Sequence, residues 1–245
     1  MISSVRSRQG FTLIELIIVI IALGVVAAVA VRNLSVSIET AKVEQTKQEL
    51  DQLAYAIVGN PAVYANGARG DFGYVGDIGA LPPGLDALGR NPGAYSTWDG
   101  PYIDTGLTGA EYLADAWGAN YVYTDTMVRS VGSGSNIDKV FAARQSDLLS
   151  NSVSGVVVDA GGTSPGSIYK DSLILRLTYP NGAGSTATVS ANPDAAGYFR
   201  FADIPIGLHR LAIIYAPDTD TATYTIAVNP AGAVKLSIVF PAELW

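Results

Sequence analysis

The 245-residue sequence contains no cysteine and only one histidine. The absence of cysteine excludes disulfides, thiol nucleophiles and cysteine-ligated metal sites. The single histidine, His209, lies beside Arg210 in a strand-like run, where a histidine is usually a surface residue or a satisfied core residue. The chain also lacks a P-loop, a dinucleotide glycine fingerprint and the Cys/His spacing of a zinc site. We therefore predict that the protein is not an enzyme.

Basic residues are scarce as well. The chain has 15 Lys and Arg against 22 Asp and Glu, which gives a formal net charge of −7. It contains no long basic run. A nucleic-acid partner is therefore not expected, because such partners select a basic patch or stripe.

What the sequence does contain is a short basic leader followed by an apolar run. The leader, Met1 to Gly10, carries Arg6 and Arg8, has no acidic residue and has no apolar core of its own. It is therefore not an ordinary secretory signal. The apolar run Phe11 to Val31 is about 20 residues long, which is the length that spans a bilayer. Because basic flanks stay in the cytoplasm, the sequence predicts that everything after this helix lies outside.

Glu15 interrupts the apolar run near its start. An ionised carboxylate at that depth costs roughly 2.5–3.5 kcal/mol on insertion scales, so it needs a partner. One interpretation is a side chain that reaches out to headgroups or water. The other is an ion pair with the amino group of Phe11, which cleavage after Gly10 would create. Within one subunit that pair is awkward, whereas between two staggered subunits it is easily made and gains roughly 4 kcal/mol before desolvation.

The run Gly10-Phe11-Thr12-Leu13-Ile14-Glu15, with the apolar helix after it, resembles the prepilin signature of type IV pilins and type II secretion pseudopilins. The resemblance implies a prepilin peptidase that cuts after Gly10 and methylates Phe11, with Glu15 as the assembly residue. It also implies an inner-membrane assembly platform of a pilus or secretion system as a partner, and self-association into a helical homopolymer. A simple signal anchor is the alternative. The chain departs from the family at Arg32, where a proline is common, and it cannot form the C-terminal disulfide of many type IV pilins.

Residues 32–58 repeat apolar side chains at spacings of three and four, which predicts an amphipathic continuation of the helix. Gly59-Asn60-Pro61 is expected to end it. We expect the apolar face of this second half to carry a sheet. A plain coiled-coil stalk is the alternative, although the pattern slips between Ala41 and Leu50 and holds no heptad.

Residues 59–109 are rich in glycine and proline, which predicts long loops in the head, residues 59–150. Three elements of this head resemble the major pseudopilin of type II secretion. The matching residues are Gly84, Leu85, Ala87, Leu88, Trp98, Gly100, Pro101, Tyr102, Asp115, Trp117, Gly118 and Tyr121. We interpret most of them as structural, with Trp98 and Trp117 capping the apolar face of the helix. An aromatic platform for a ligand is the alternative.

Such pseudopilins usually bind calcium in an acidic loop of the head. The equivalent stretch here, Ser130 to Asp138, supplies only Asp138 as a carboxylate, and Asp125 lies just before it. Calcium needs several oxygen ligands in a compact loop. The sequence therefore predicts no cofactor, with calcium at Asp125 and Asp138 as the alternative.

From Ser152 onward, β-branched and aromatic runs alternate with turns, which predicts a β-sandwich. The predicted strands are Val153–Asp159, Ser172–Tyr179, Ser185–Ala191, Tyr198–Ala202, His209–Tyr215, Thr221–Val228 and Val234–Phe240. Residues 154–159 and 197–211 resemble a carboxypeptidase regulatory-like, transthyretin-like sandwich. This resemblance implies a fold and no catalysis.

The predicted fold class is α+β: a long N-terminal helix, half membrane-spanning and half amphipathic, packed on a small β head and followed by an all-β sandwich. The predicted domains are a cleaved leader (1–10), the helix (11–58), the head (59–150) and the sandwich (151–245). The favoured function is a structural subunit of a type IV pilus-like or type II secretion pseudopilus filament. It would begin as a single-pass inner-membrane precursor and end in a periplasmic or cell-surface filament. The alternative is a low-abundance pilin that acts as an adhesin or substrate-binding module through its sandwich.

Overall fold

The computed structural model describes residues 12–103, 111–241, 243 and 245. Its architecture is α+β, as the sequence predicts: one long helix, a head of short strands and loops, and two sheets that form a sandwich. The chain divides into two compact units, of which one ends at Gln45 and the other is Thr46–Trp245. The predicted boundary between head and sandwich, at residues 150 and 151, lies inside the second unit and stays a prediction.

Helix α1, Leu13–Val58, is 46 residues long, which corresponds to about 69 Å from end to end. It continues through Arg32 without interruption. The helix ends at the predicted place, where Gly59 takes a φ of 79°. The guanidinium of Arg69 donates to the carbonyl oxygens of Val58 and Gly59. This contact satisfies acceptors that every helix leaves open at its C-terminal end.

The last turns of α1 bury one apolar face. Leu50, Leu53 and Ile57 are each 1% exposed or less, at the predicted spacings of three and four. They pack in one cluster with Tyr74 and with Val128 of the head's sheet. The prediction that the second half of the helix carries a sheet on its apolar face is confirmed.

Short elements joined by long loops make up the head. In chain order they are β1 (Tyr64–Ala65), β2 (Ala68–Arg69), α2 (Gly73–Ile78), a 3₁₀ turn (Leu85–Leu88), a second 3₁₀ turn (Glu111–Leu113), β3 (Val122–Tyr123), β4 (Met127–Ser130), β5 (Ile137–Val140) and α3 (Ser146–Leu149). Strands β1 and β2 form a hairpin, and β3, β4 and β5 form an antiparallel sheet in that order.

Two sheets stack to form the sandwich. Its elements are β6 (Asn151–Val158), α4 (Gly166–Tyr169), a 3₁₀ turn (Lys170–Ser172), β7 (Leu173–Pro180), β8 (Thr186–Ala191), β9 (Tyr198–Ile204), β10 (Gly207–Tyr215), β11 (Asp220–Val228) and β12 (Ala233–Val239). One sheet has the order β11-β10-β7-β8 and is antiparallel. The other has the order β12-β6-β9, with β12 parallel to β6. All seven predicted strands are present.

Alternation along the strands places one set of side chains between the two sheets. On β7, Leu173, Leu175 and Leu177 are fully buried, whereas the residues between them are not. Phe199 and Phe201 face the same core from β9. This period of two is the one that strand geometry imposes.

Backbone hydrogen bonds join the head to the sandwich. The N–H of Gly182 donates to Ile78 O at 2.8 Å, and the N–H of Ile206 donates to Leu148 O at 2.8 Å. The Ile206 side chain is fully buried in the cluster that contains the last turns of α1. Head and sandwich therefore share apolar packing as well as backbone contacts.

Candidate functional site

The first half of α1 exposes almost all of its apolar side chains. Leu13, Val26 and Val36 are 76%, 65% and 62% exposed. Within the described ranges, α1 is the one helix that is long and apolar enough to cross a membrane, and its apolar window is not buried. A signal sequence would pass the same test of length and composition. Since a contiguous apolar surface of this size marks an interaction site, the helix needs a membrane or other chains to cover it.

The start of α1 is closed by a reciprocal pair of hydrogen bonds. The N–H of Glu15 donates to Oγ1 of Thr12 at 3.3 Å, and the N–H of Thr12 donates to Oε2 of Glu15 at 3.5 Å. Threonine at the N-cap with glutamate three residues later is a capping box. Both bonds are long and exposed, so each is weak. The carboxylate of Glu15 is thereby turned toward the beginning of the chain.

The predicted processing residues, Gly10 and Phe11, lie outside the described residues. Glu15 lies in the first turn of α1. Its predicted role in assembly needs a second subunit and stays a prediction. The capping box adds a role within one subunit that the sequence reasoning did not include.

The two candidate calcium ligands differ in their surroundings. Asp138, on β5, forms a bidentate ion pair with Arg129 across the sheet, at 2.6 and 2.8 Å. Asp125 is exposed in the turn between β3 and β4. Among the described residues, no three Asp, Glu, His or Cys side chains form a group that could hold a metal ion. Calcium binding stays a prediction.

Asp115 organises the loop in which the calcium site was expected. Asp115 is buried, since only 5% of the residue is exposed. It accepts hydrogen bonds from Ser130 Oγ (2.6 Å), Gly132 N (2.9 Å), Ala119 N (2.9 Å) and Trp117 N (3.0 Å). Burial raises the pKa of this carboxyl, but the four hydrogen bonds outweigh burial and hold the pKa below its ordinary value. Asp115 therefore closes the loop with protein donors.

The pseudopilin-like residues also tie the head to α1. Tyr121 donates its hydroxyl to Glu49 Oε2 at 2.6 Å, and the N–H of Ala116 donates to Thr46 Oγ1 at 3.3 Å. Trp98 packs against the cluster around Leu50, and its indole N–H donates to Ala87 O at 3.2 Å. The expected structural role of Trp98 is confirmed. Trp117 lies in the loop that Asp115 closes, and its backbone N–H donates to Asp115 Oδ1.

His209 is a buried strand residue. It is 1% exposed, and its Nε2 lies 2.7 Å from the carbonyl oxygen of Pro205, so Nε2 carries the proton and donates. Burial lowers the pKa of this imidazole. Nδ1 is buried and has no partner among the described residues. These surroundings fit a core histidine.

The comparison with known families decides how the N-terminal segment is interpreted. Residues 5–31 match the family described as "Prokaryotic N-terminal methylation motif". This is a type IV pilin signature. The match contains Gly10, Phe11 and Glu15 and the exposed apolar start of α1. The motif and the apolar helix near the N-terminus fit a membrane-anchored precursor.

Comparisons with whole proteins add little to the pilin signature. No curated protein matches the chain. Among solved structures, the major pilin subunit BcpA of Bacillus cereus is similar at 15% identity over 48% of this chain and 37% of its own, with a TM-score of 0.24. The streptococcal ancillary pilin is similar at 10% identity over 49% of this chain and 43% of its own, with a TM-score of 0.25.

A third similar structure is the dioxygenase domain of a carbohydrate-binding fusion protein from Streptomyces sp. SirexAA-E. It is 12% identical over 39% of this chain and 81% of its own, with a TM-score of 0.27. Scores this low carry no argument about fold or function.

Sequence reasoning missed several residues that organise the structure. The capping box at Thr12 and Glu15 was visible as a T-x-x-E pattern. Asp71 accepts from the N–H groups of Asn60 and Gly73, at 2.7 and 3.0 Å, and so joins the end of α1 to the start of α2. Arg69 completes the same junction. No sequence pattern announces Arg69 or Asp71, because their partners are backbone atoms brought close by the fold.

Proposed function

We propose that this protein is a structural subunit of a type IV pilus-like or type II secretion pseudopilus filament, assembled through its N-terminal helix. The observation that carries the proposal is the pilin signature over residues 5–31, on a helix whose apolar first half is uncovered. A prepilin peptidase would cut after Gly10 and methylate Phe11. The precursor would sit in the inner membrane with its N-terminus in the cytoplasm, and an assembly platform would pass it to a periplasmic or cell-surface filament.

Glu15 is the residue proposed to set the register of assembly. Its carboxylate would pair with the Phe11 amine of a neighbouring subunit, so that each charge in a low-dielectric environment is compensated by an opposite one. In one subunit the same carboxylate bonds the N–H of Thr12, which is one peptide away from that amine. The capping box therefore holds the carboxylate at the end of the helix where the pair would form.

The substitution Glu15→Gln tests the charge of this side chain separately from its role in capping the helix. Glutamine completes a capping box as glutamate does, so the start of the helix is kept while the charge is lost. We expect the variant to insert and to be cleaved, but to give at least about tenfold less filament. The measurement is the yield of polymer sheared from cells, with cleavage followed by mass spectrometry.

Glu39→Gln is the matched control, since it makes the same chemical change on the same helix outside the signature. The control should assemble normally. Filament in normal yield from Glu15→Gln would contradict the ion pair and leave only the capping role.

The second candidate function is a low-abundance pilin that binds a surface or a secreted substrate. The observation that favours it is the complete seven-stranded sandwich, a module that filament assembly through α1 does not need. The number of copies per filament distinguishes the two functions. A main-body subunit is the most abundant protein of the purified polymer, whereas a binding subunit is a minor one.

A further inference from the structure

A cleft with mixed polar and apolar walls lies where the head meets the sandwich. Its volume is about 490 Å³, which is within the range of small-molecule sites in proteins. The head contributes Asp77 from α2 and the segment Thr97–Asp99. The sandwich contributes Tyr179 from β7 and Arg210 from β10.

Backbone hydrogen bonds fix the two walls of this cleft relative to each other. The N–H of Gly182 donates to Ile78 O, next to Asp77, at 2.8 Å. The N–H of Ser96 donates to Gly184 O at 2.8 Å, and the Ser96 hydroxyl donates to the same oxygen at 2.9 Å. The cleft is therefore pre-formed, which lowers the entropy lost on binding.

The polar groups of the cleft have few partners of their own. Asp77 accepts one hydrogen bond, from the Tyr102 hydroxyl to Oδ2 at 3.0 Å, and its Oδ1 accepts none from the described residues. Thr97 Oγ1 is buried and has no partner within the described ranges. Arg210 forms no ion pair with Asp77 or Asp99 in the part of the chain that the structure describes. Of these groups only Thr97 Oγ1 is fully buried, since Asp77 is half-buried and Asp99 and Arg210 are exposed. A buried polar atom without a partner is uncommon in proteins and suggests something that is not in the chain.

The electrostatics of Asp77 agree with this picture. Burial raises the pKa of this carboxyl to about 6, the Tyr102 hydrogen bond lowers it, and the nearby charges of Asp99 and Asp71 raise it further. Near neutral pH the group is ionised but poorly solvated. Hydroxyl donors from a ligand would satisfy it.

Two aromatic rings add apolar surface to the polar groups. Trp98 is held by its indole hydrogen bond to Ala87 and by an edge contact with Tyr102, at 5.7 Å between ring centroids. Tyr179 is held by an edge contact with His209 at 6.1 Å. Rigid rings beside carboxylate, hydroxyl and guanidinium groups suit a ligand that has both an apolar face and several hydroxyls.

We propose that this cleft binds a saccharide, whose hydroxyls bond Asp77, Asp99, Thr97 and Arg210 and whose ring lies against Trp98 or Tyr179. The ligand class is set by the combination of donors, acceptors and rings. The proposal goes beyond filament assembly, and it holds for a major and for a minor subunit alike.

The test uses the full processed chain in a detergent that is not a glycoside. The probes are methyl α-D-mannoside, methyl β-D-galactoside and N-acetyl-D-glucosamine, measured by isothermal titration calorimetry, with free lysine as a non-saccharide probe. We expect at least one sugar to bind. Asp77→Asn and Asp99→Asn should each lower its affinity at least about tenfold, and Asp218→Asn, on an exposed turn, should leave it unchanged.

The substitution Thr97→Val distinguishes a loss of sugar binding from a loss of folding. The isosteric change removes a hydroxyl that has no partner among the described residues. The thermal midpoint should therefore stay at or above that of the wild-type chain, while the affinity for the sugar falls. Failure of all three sugars to bind would overturn the proposal. So would binding of lysine in place of the sugars, or sugar binding that survives both Asp77→Asn and Asp99→Asn.

Discussion

The pKa values of two aspartates of the head are shifted in opposite directions, because the balance between burial and hydrogen bonding differs between them. Asp115 accepts four hydrogen bonds, and its pKa is lowered despite burial. Asp77 accepts one, and burial raises its pKa to about 6. For Asp115 the hydrogen bonds outweigh burial, whereas for Asp77 burial outweighs the single hydrogen bond.

Replacing Asp115 should destabilise the head strongly. Asp115→Ala leaves the donors of Ser130 and Gly132 without their acceptor, so we expect the free energy of unfolding to fall by about 2–4 kcal/mol. The contribution of Asp115 is present above its unfolded pKa of 3.8 and is lost as pH falls through the lower folded pKa. Denaturant titration of the full chain, followed by tryptophan fluorescence, measures the change.

Asp125→Ala is the control for that substitution, because Asp125 is exposed nearby. Its effect should be within about 0.5 kcal/mol. Equal losses from the two variants would show that the four hydrogen bonds do not hold the loop.

The contribution of Asp77 to stability should depend on pH in the opposite sense to that of Asp115. Its folded pKa of about 6 lies above the unfolded value of 3.8. Its stabilising contribution is therefore fully present below pH 3.8 and is lost as pH rises through about 6. Asp77→Asn should be more stable than the unmodified chain at neutral pH, with a difference that vanishes in acid.

Thermal midpoints measured across this range test the prediction, with Asp218→Asn as the control. A midpoint difference that does not change with pH would contradict it.

Among the elements, the junction between α2 and the sandwich depends on one glycine. Gly79 takes a φ of 78° and ends α2, and a Cβ there would lie 2.2 Å from Pro180 O. Gly182 has a similar φ of 81°, but its Cβ would meet nothing closer than 3.5 Å. Comparing alanine substitutions at Gly79 and Gly182 therefore distinguishes the effect of backbone strain from that of a steric clash.

Gly79→Ala should lower the thermal midpoint more than Gly182→Ala does. Both variants force alanine into a left-handed conformation, at about 1–2 kcal/mol, and only the first also pushes β7 away from α2. Thermal unfolding of the two full-length variants, measured side by side, gives the difference. Equal thermal midpoints for the two variants would show that moving the head away from the sandwich at this point costs no stability.

Elements whose geometry is set by local pattern were predictable from the sequence. The seven strands of the sandwich follow a period of two, and α1 ends at Val58, one residue before Gly59. The same period also places His209 inward with Leu211 and Ile213, although sequence reasoning left its burial open.

The parts of the structure that could not be predicted depend on contacts between residues that are far apart in the sequence. The head is held by side chains that bond backbone far along the chain, such as Arg69 on Val58 O and Asp115 on Gly132 N. The cleft needs Asp77 and Arg210 from separate parts of the sequence. No local pattern brings these residues together, so the sequence predicted neither the head's detail nor the cleft.

For the whole molecule, the uncovered apolar half of α1 is the feature that most constrains function. The full chain has a formal net charge of −7, whereas the exposed apolar side chains in the first half of α1 need a membrane or other chains to cover them. Processing after Gly10 would allow the same surface to serve both environments in succession.

The measurement that tests this account most directly is mass spectrometry of the N-terminal peptide in two fractions, material sheared from cells and washed envelopes. The account predicts a peptide that begins at a methylated Phe11. Its abundance in the sheared fraction would indicate a surface filament, and its confinement to the envelope a short pseudopilus or a minor subunit. An intact Met1 in both fractions would contradict the account.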